Sequence, residues 1–334
     1  MATMKQVADV ADVSVATVSR VINKTGYVSP DLEVRVQEAM RNLKYQPSAL
    51  ARSLRRQQTQ TIGVLIPQLD LPFFSTLAYA IEKSLFPHEY RTLICSAEEN
   101  DEKETAYTEI LLRQRVDGVI VAPTGRSANN LRLLGEKNVP VVLVDRDLPE
   151  LDVNRVLVSN WQGAHDGMTH LLQLGHRLIG VVGAPAYSPT MITRIEGAMQ
   201  ALRDFGLMPD PALVITGTIQ QFEMGYQAAQ TLLQRQPRPT AIFALTDVAA
   251  IGVMHAAAEA GLRLPQDLSV VGFDDIPLAS FSIPTLTSVA QPIAELGEVA
   301  TRLLLSHISD RGKGTETIRL QTRLMVRGST AALG

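Results

Sequence analysis

Several short stretches of this 334-residue chain end in side chains of the kind that recognise hydroxyl groups. LDLPFF (69–74) supplies Phe73 and Phe74, and VDRD (144–147) supplies Asp145, Arg146 and Asp147. SPTMITRIEG contributes Arg194, ALTDVAAIG contributes Thr246 and Asp247, VGFDD contributes Asp274, and SVAQP contributes Gln291. An aromatic ring packs on the C–H face of a pyranose or furanose, while carboxylates and the planar fork of arginine bridge neighbouring hydroxyls. The arginine pair Arg146 and Arg194 could also accept a carboxylate or a phosphate. Each residue has a plainer alternative: Asp247 as a helix cap, Phe74 as core, Asp145 as an orienter of Arg146, Gln291 as a brace.

Catalytic arrangements do not emerge beside these groups. There is no G-x-G-x-x-G after a first strand, no G-x-x-x-x-G-K-[ST] loop and no G-x-S-x-G elbow. His165, His170 and His176 fall near one helix without metal-ligand spacing, and no enzyme, metal or cofactor is expected. The single cysteine, Cys95, allows neither an internal disulfide nor a zinc thiolate cluster and reads as a small buried residue.

The elements that must position the polar stretches are strands alternating with helices. TIGVLIP, RTLIC, DGVIVAP, VPVVLVD, LIGVVGAP, LVITG, TAIFALT and LSVVGFDD are apolar runs separated by helical segments of ten to fifteen residues. Continuous Val/Ile/Leu runs indicate strands covered on both faces, hence parallel sheets with helical crossovers. About ten strands in two sets predict two doubly wound lobes, with a ligand cleft beyond the carboxyl ends of the strands. The helix PIAELGEVATRLLLSHI is expected to return to the first lobe, and TIRLQTRLMVRGS to add edge strands. Trp161, the only tryptophan, falls at the passage between lobes, with interlobe packing or a ligand-facing role open to it.

The first 46 residues follow a different rule. Val7, Ala8, Val10 and Ala11 recur at helical spacing; Ser14 stands as an N-cap before Val18, Val21 and Ile22. Ser29-Pro30 announces a third helix with the stripe Leu32, Val36, Ala39, Met40 and Leu43. Three short helices with a tight first turn predict helix-turn-helix geometry. The second helix exposes Val15, Ala16, Thr17, Ser19 and Arg20, a face able to enter a major groove with Arg20 bidentate to guanine. Charge follows the same division. Residues 1–60 hold nine Lys/Arg against five Asp/Glu (net +4), and the remainder twenty-two against twenty-nine (net −7).

Between the two regions lies PSALARSLRR (47–56), too short for a stable isolated helix. Leu50 and Leu54 are i, i+4 neighbours, Ala51 and Ser53 are small, and Arg52, Arg55 and Arg56 suit phosphates. That composition fits an apolar wedge entering a minor groove beside a partner helix. No apolar run reaches the ~20 residues of a membrane span, and MATMKQVADVADV lacks the apolar core of a secretory signal. A cytoplasmic location is expected.

KQVADVADVSVATVSRVIN is similar to the DNA-binding head of the lactose-repressor/galactose-repressor family, D-V-A-x-x-A-x-V-S-x-x-T-V-S-R-V-x-N, at the same distance from KYQPSALARSLR. Asp12 departs from the usual glycine or asparagine of the turn, but aspartate tolerates left-handed geometry. The resemblance implies a helix-turn-helix head (1–46), a hinge helix and linker (47–60) and an effector-binding core (61–334). That core would be two doubly wound lobes like a ribose-type periplasmic binding protein (61–160 plus about 292–316; 161–291 plus about 317–334). It further implies a homodimer on a pseudo-palindromic operator. Val15, Ala16 and Arg20 would face bases and Thr17 and Ser19 phosphates, with Thr3, Asn23, Ala51 and Arg55 also at the DNA and Leu54 as the wedge. Effector contacts would fall on Phe73, Phe74, Arg146, Ser188, Thr190, Arg194, Gln220, Thr246, Asp274 and Gln291. Leu71 and Thr246 stand where ribose-type sites commonly carry asparagine. A sugar or sugar-derivative effector is the expectation; the alternatives are a purine-type corepressor or a sugar-binding transport protein.

Overall fold

Helix α1 (Met4–Ala11) starts at Thr3 with a reciprocal cap: Gln6 N donates to Thr3 Oγ1 at 3.3 Å and Thr3 N donates to Gln6 Oε1 at 2.8 Å. It ends at Asp12, whose φ of 49° and ψ of 54° are left-handed, as the turn requires. Helix α2 (Val15–Asn23) is capped by Ser14 Oγ, which accepts from Thr17 N at 3.0 Å. Such a cap contributes about 1 kcal/mol. Helix α3 (Pro30–Asn42) begins after Ser29, whose side chain makes no cap hydrogen bond; the proline sets the first turn instead. Val7, Ala8, Ala11, Val18, Val36 and Ala39 form the buried core of these three helices.

The computed structural model describes residues 2–23, 25–45, 58–124, 128–184, 187–218 and 221–333. Residues 1–60 and 61–334 are separate units. The hinge expectations for Ala51, Leu54 and Arg55, and the site expectation for Gln220, lie outside the described residues.

The second unit holds two six-stranded sheets. The first contains β1 (Thr61–Ile66), β2 (Arg91–Ser96), β3 (Gly118–Val121), β4 (Val141–Val144), β5 (Asn154–Val158) and β11 (Thr317–Leu320) in the order β11-β5-β4-β3-β1-β2, all parallel. The second contains β6 (Ile179–Gly183), β7 (Val214–Thr216), β8 (Ala241–Ala244), β9 (Ser269–Asp274), β10 (Thr287–Ala290) and β12 (Arg323–Met325) in the order β12-β10-β9-β8-β6-β7. Only the β10–β12 pair there is antiparallel. Strands β3, β4 and β8 are buried at every residue, which is why they read as uninterrupted apolar runs.

The lobe boundary differs from the expectation in one respect. Thr317–Leu320 runs beside Arg155–Val158 in the first sheet, so the second lobe regains the chain only at β12. The helices of the first lobe are α4 (Pro72–Leu85), α5 (Asp101–Arg113) and α6 (Asn129–Glu136); those of the second are α7 (Asn160–Gln173), α8 (Pro189–Asp204), α9 (Phe222–Leu233), α10 (Asp247–Glu259) and α11 (Pro277–Phe281). Helix α12 (Ile293–Ser309) returns to the first lobe and packs on α4 so closely that a Cβ at Gly297 would lie 2.8 Å from that of Ala80. Across the lobes, Val248 and Ile276 join the apolar cluster of Leu71, Phe73, Phe74 and Leu77.

Candidate functional site

Two faces of the molecule collect the expected residues. In the head, Val15, Ala16 and Arg20 are exposed on α2 and Thr17 and Ser19 are half-buried, while Val18 turns inward. Asn23 bonds back to its own helix, its Nδ2 donating to the Ser19 carbonyl at 2.8 Å, and Thr3 is exposed at its cap. The turn that aims α2 is held from α3. Arg35 Nη2 donates to the Ala11 carbonyl at 2.6 Å and the Asp12 carbonyl at 3.1 Å, and lies 3.3 Å from the Asp12 carboxylate. A polar, small-residue helix face presented by a pinned turn suits insertion into a major groove.

In the second unit a cleft opens at the carboxyl ends of the two sheets. Phe73, Phe74, Asp145 and Arg146 line it from the first lobe; Ser188, Thr190, Arg194, Thr246 and Asp274 line it from the second. Phe73 and Phe74 occupy the first turn of α4, edge to face with centroids 5.0 Å apart. Thr246, not Asp247, caps α10: its Oγ1 accepts from Ala249 N at 3.2 Å. Ser188 precedes α8 and shares a hydrogen bond of 2.9 Å with Thr190. Trp161 stacks on His165 with centroids 5.2 Å apart and is 38% exposed.

The charged groups of the cleft are tied in two knots. Arg146, at the end of β4, meets Glu99 face on: Nη1 donates to Oε2 at 2.9 Å and Nη2 to Oε1 at 2.7 Å. Nη1 also donates to the carbonyls of Pro123 and Thr124, and the guanidinium lies over Phe74 at 5.5 Å. Burial works against the charge of Arg146, but Glu99 and Asp145 outweigh it and hold the group protonated. In the second knot Arg194 Nε donates to Asn160 Oδ1 at 2.8 Å, and Nη1 donates to the Leu245 carbonyl at 2.7 Å and Asp274 Oδ1 at 3.1 Å. Its guanidinium lies 3.7 Å over Phe273. Gln291 does not line the cleft; its Nε2 donates to Asp274 Oδ1 at 2.7 Å.

The carboxylates behind these knots are strongly buried. Burial pushes the Asp274 carboxyl up to about 6 against the opposing pull of Arg194 and Gln291. Burial raises Asp145 as well, with Arg146 and Arg194 pulling it back. Asp247 is pushed well above its ordinary value by burial and the neighbouring Asp274. It accepts from Ser288 Oγ at 2.6 Å and Ile276 N at 2.8 Å. Asp145 and Asp274 have φ of 66° and 111°, backbone conformations that cost on the order of 1–3 kcal/mol each and concentrate at functional sites. Among the described residues, Asp145 Oδ1, Arg146 Nε and Gln291 Oε1 are buried without a hydrogen-bond partner. Glu99 and Asn160 are the contributors that sequence reasoning missed.

A two-lobed core with its polar cleft at the strand ends, following a helix-turn-helix head, defines a ligand-responsive DNA-binding regulator. Residues 3–48 match the family described as "Bacterial regulatory proteins, lacI family", and residues 168–330 match the periplasmic binding protein-like domain. The chain is 36% identical over 333 residues to the HTH-type transcriptional repressor PurR of Edwardsiella ictaluri (strain 93-146), covering 99% of this chain and 97% of that one. It is 35% identical, with the same coverage, to the HTH-type transcriptional repressor CytR of Escherichia coli (strain K12). Among solved structures, the lac repressor dimer bound to operator and the anti-inducer ONPF superposes with a TM-score of 0.87 at 29% identity over 99% of both chains. A lacI-family regulator from Enterococcus faecium with bound ribose gives 0.75 at 34% identity, covering 82% of this chain and 100% of that one. The chain belongs to the lacI family of bacterial regulatory proteins, a family of DNA-binding transcriptional repressors.

Proposed function

We propose that this repressor binds a pseudo-palindromic operator as a homodimer in the cytoplasm and is controlled by a sugar or sugar-derivative effector seated between its lobes. The observation that carries the effector class is the cleft's lining. One aromatic edge-to-face pair adjoins Asp145, Arg146, Arg194 and Asp274, with an acceptor (Asp145 Oδ1) and a donor (Arg146 Nε) left unpaired. A hydroxyl group donates and accepts at once, so adjacent hydroxyls answer both atoms. The ribose carried by the Enterococcus faecium relative supports the same class. The operator reading rests on the exposed face of α2, with Arg20 free of the head's core. Domain limits of 1–46 for the head, 47–60 for the hinge and 61 onward for the core accompany it.

The test begins with selection of bound duplexes from a randomised library by the full chain, followed by anisotropy titrations with pentoses, hexoses, ribonucleosides and purine bases. An inverted-repeat duplex whose affinity shifts with a sugar or nucleoside supports the reading. A selected pool without a repeat overturns the dimeric operator. A shift with purine bases alone replaces the sugar by a corepressor.

Among the described residues no helix is long and apolar enough to cross a membrane.

A further inference from the structure

We infer that Glu99 makes the cleft selective for uncharged effectors, by neutralising the arginine that would otherwise receive a phosphate or carboxylate. The inference rests on the cleft being the effector site and concerns which members of the polyhydroxyl class it admits.

Arg146 stands where an anion receptor would be placed, at the carboxyl end of a central parallel strand and 2% exposed. Its bidentate fork, the feature that suits guanidinium groups to phosphate, is already spent on a carboxylate. The two peptide carbonyls of Pro123 and Thr124 take further Nη1 capacity, leaving Nε as the donor without a partner. Beside that Nε, at 3.9 Å, stands the Asp145 carboxylate, so a second negative charge faces the same cation.

The other arginine offers no compensation. Arg194 is paired with Asp274, and Asp247 lies behind that aspartate, accepting from Ile276 N and Ser288 Oγ. Among the described residues no lysine lines the cleft, and Arg146 and Arg194 stand against Glu99, Asp145 and Asp274. In a buried, weakly screened site this balance repels a dianion, whereas a hydroxyl meets the orphaned donor and acceptor without bringing charge.

Glu99 is held for this purpose by its own backbone. Glu98 and Glu99 both have φ of 53°, and the loop is pinned to the end of β1 through Ala97 N to the Ile66 carbonyl at 2.9 Å and Glu99 N to the Pro67 carbonyl at 3.3 Å. Two consecutive left-handed residues are an uncommon conformation outside glycine. They carry a carboxylate from the β2–α5 loop to an arginine 47 residues later.

The experiment is thermal unfolding and titration of the full chain and of Glu99→Gln against matched pairs: ribose and ribose 5-phosphate, glucose and glucose 6-phosphate, cytidine and adenosine with their monophosphates, and inorganic phosphate alone. The wild type is expected to ignore every phosphate. Glu99→Gln is expected to gain about ten-fold or more in affinity for at least one phosphorylated compound or for inorganic phosphate. Glu99→Ala repeats the measurement where the glutamine variant unfolds, and the wild-type arm needs no variant. A phosphorylated compound that binds the wild type as tightly as its neutral parent overturns the inference and leaves the sugar reading standing. So does a folded Glu99 variant with no gain for any phosphate. A gain for phosphate in the variant, with no neutral compound binding the wild type, supports the inference and removes the sugar reading.

Discussion

Arg194 and Asp274 meet at 3.1 Å inside the second lobe, their side chains 5% and 3% exposed. The pair is part of the protein interior as much as of the cleft, because Arg194 also satisfies Asn160 and the Leu245 carbonyl. Removing the arginine strands a buried carboxylate and two acceptors. Arg194→Ala is therefore expected to destabilise the core by about 3 kcal/mol and to abolish the effect of sugars on operator affinity. Denaturant midpoints and anisotropy titrations read the two losses. Adding Asp274→Asn is expected to recover part of the stability, since the uncompensated charge is then gone, without recovering the response.

The Asp274 carboxyl, raised to about 6, links stability to pH with a definite sign. An unfolded aspartate titrates near ~3.9, so between that value and about 6 the native state binds the proton more tightly. This group's contribution to stability is full below the lower value, declines as pH rises through the interval, and leaves a constant penalty above it. Asp145 and Asp247 are raised in the same direction, while the half-buried His170 and the buried His176 are lowered and oppose them in acid. The difference between wild type and Asp274→Asn isolates the group. Chemical denaturation at steps from pH 4.5 to 7.5 is expected to show the wild type losing ground to the variant until about pH 6 and holding a fixed offset beyond. A flat difference across the range would mean that Asp274 does not titrate there.

What the sequence disclosed follows from what each segment buries. The central strands read clearly because both faces are covered by apolar packing, and the head because its helices obey caps and periodicity on their own. Strand β10 hid behind its composition. Thr287 and Ser288 are wholly buried, their hydroxyls bonded to Thr330 and to the carboxylate of Asp247, so a core strand looks like a polar loop. The division of β11 from β12 was equally hidden, since Gln321 and Thr322 switch sheets within one continuous apolar-polar alternation. Arg146, Arg194 and Asp274 were legible as strand-end or helix-start polar groups. Glu99 was not, because nothing in SAEEN distinguishes it from solvated acids; only the tertiary fold brings it to Arg146.

In the head, two arginines are expected to fail in different ways. Arg20 is exposed on α2, and on the proposed operator reading Arg20→Ala should cost about 1–3 kcal/mol of operator affinity, concentrated at one base position, with the helical melting of the full chain unchanged. Arg35 never needs to touch DNA, because its bonds go to Ala11 and Asp12. Arg35→Ala should lower head stability by about 1 kcal/mol and weaken all duplexes alike by loosening the turn. Anisotropy on single-base operator variants separates the two patterns; base-selective loss in Arg35→Ala would place that residue in the groove.

Gly272, in the middle of β9, tests how far the cleft depends on packing beneath it. A Cβ there would stand 2.2 Å from Asp247 Oδ1 and 2.9 Å from Leu286 Cδ2. Asp247 is wholly buried and has nowhere to retreat, and its carboxylate holds Ile276 N and Ser288 Oγ, the two anchors flanking the Asp274–Asp275 bend. Gly272→Ala is therefore expected to cost about 2 kcal/mol through overpacking and to weaken effector binding by tilting Asp274 away from Arg194. Gly135→Ala is the contrast: its Cβ meets nothing within 4 Å inside α6, and alanine there should gain about 0.5–1 kcal/mol of helix stability. Denaturant midpoints of the two variants, with a sugar titration of each, decide the matter. Equal and small effects would show that Asp247 can move, and that the bend carrying Asp274 does not rely on it.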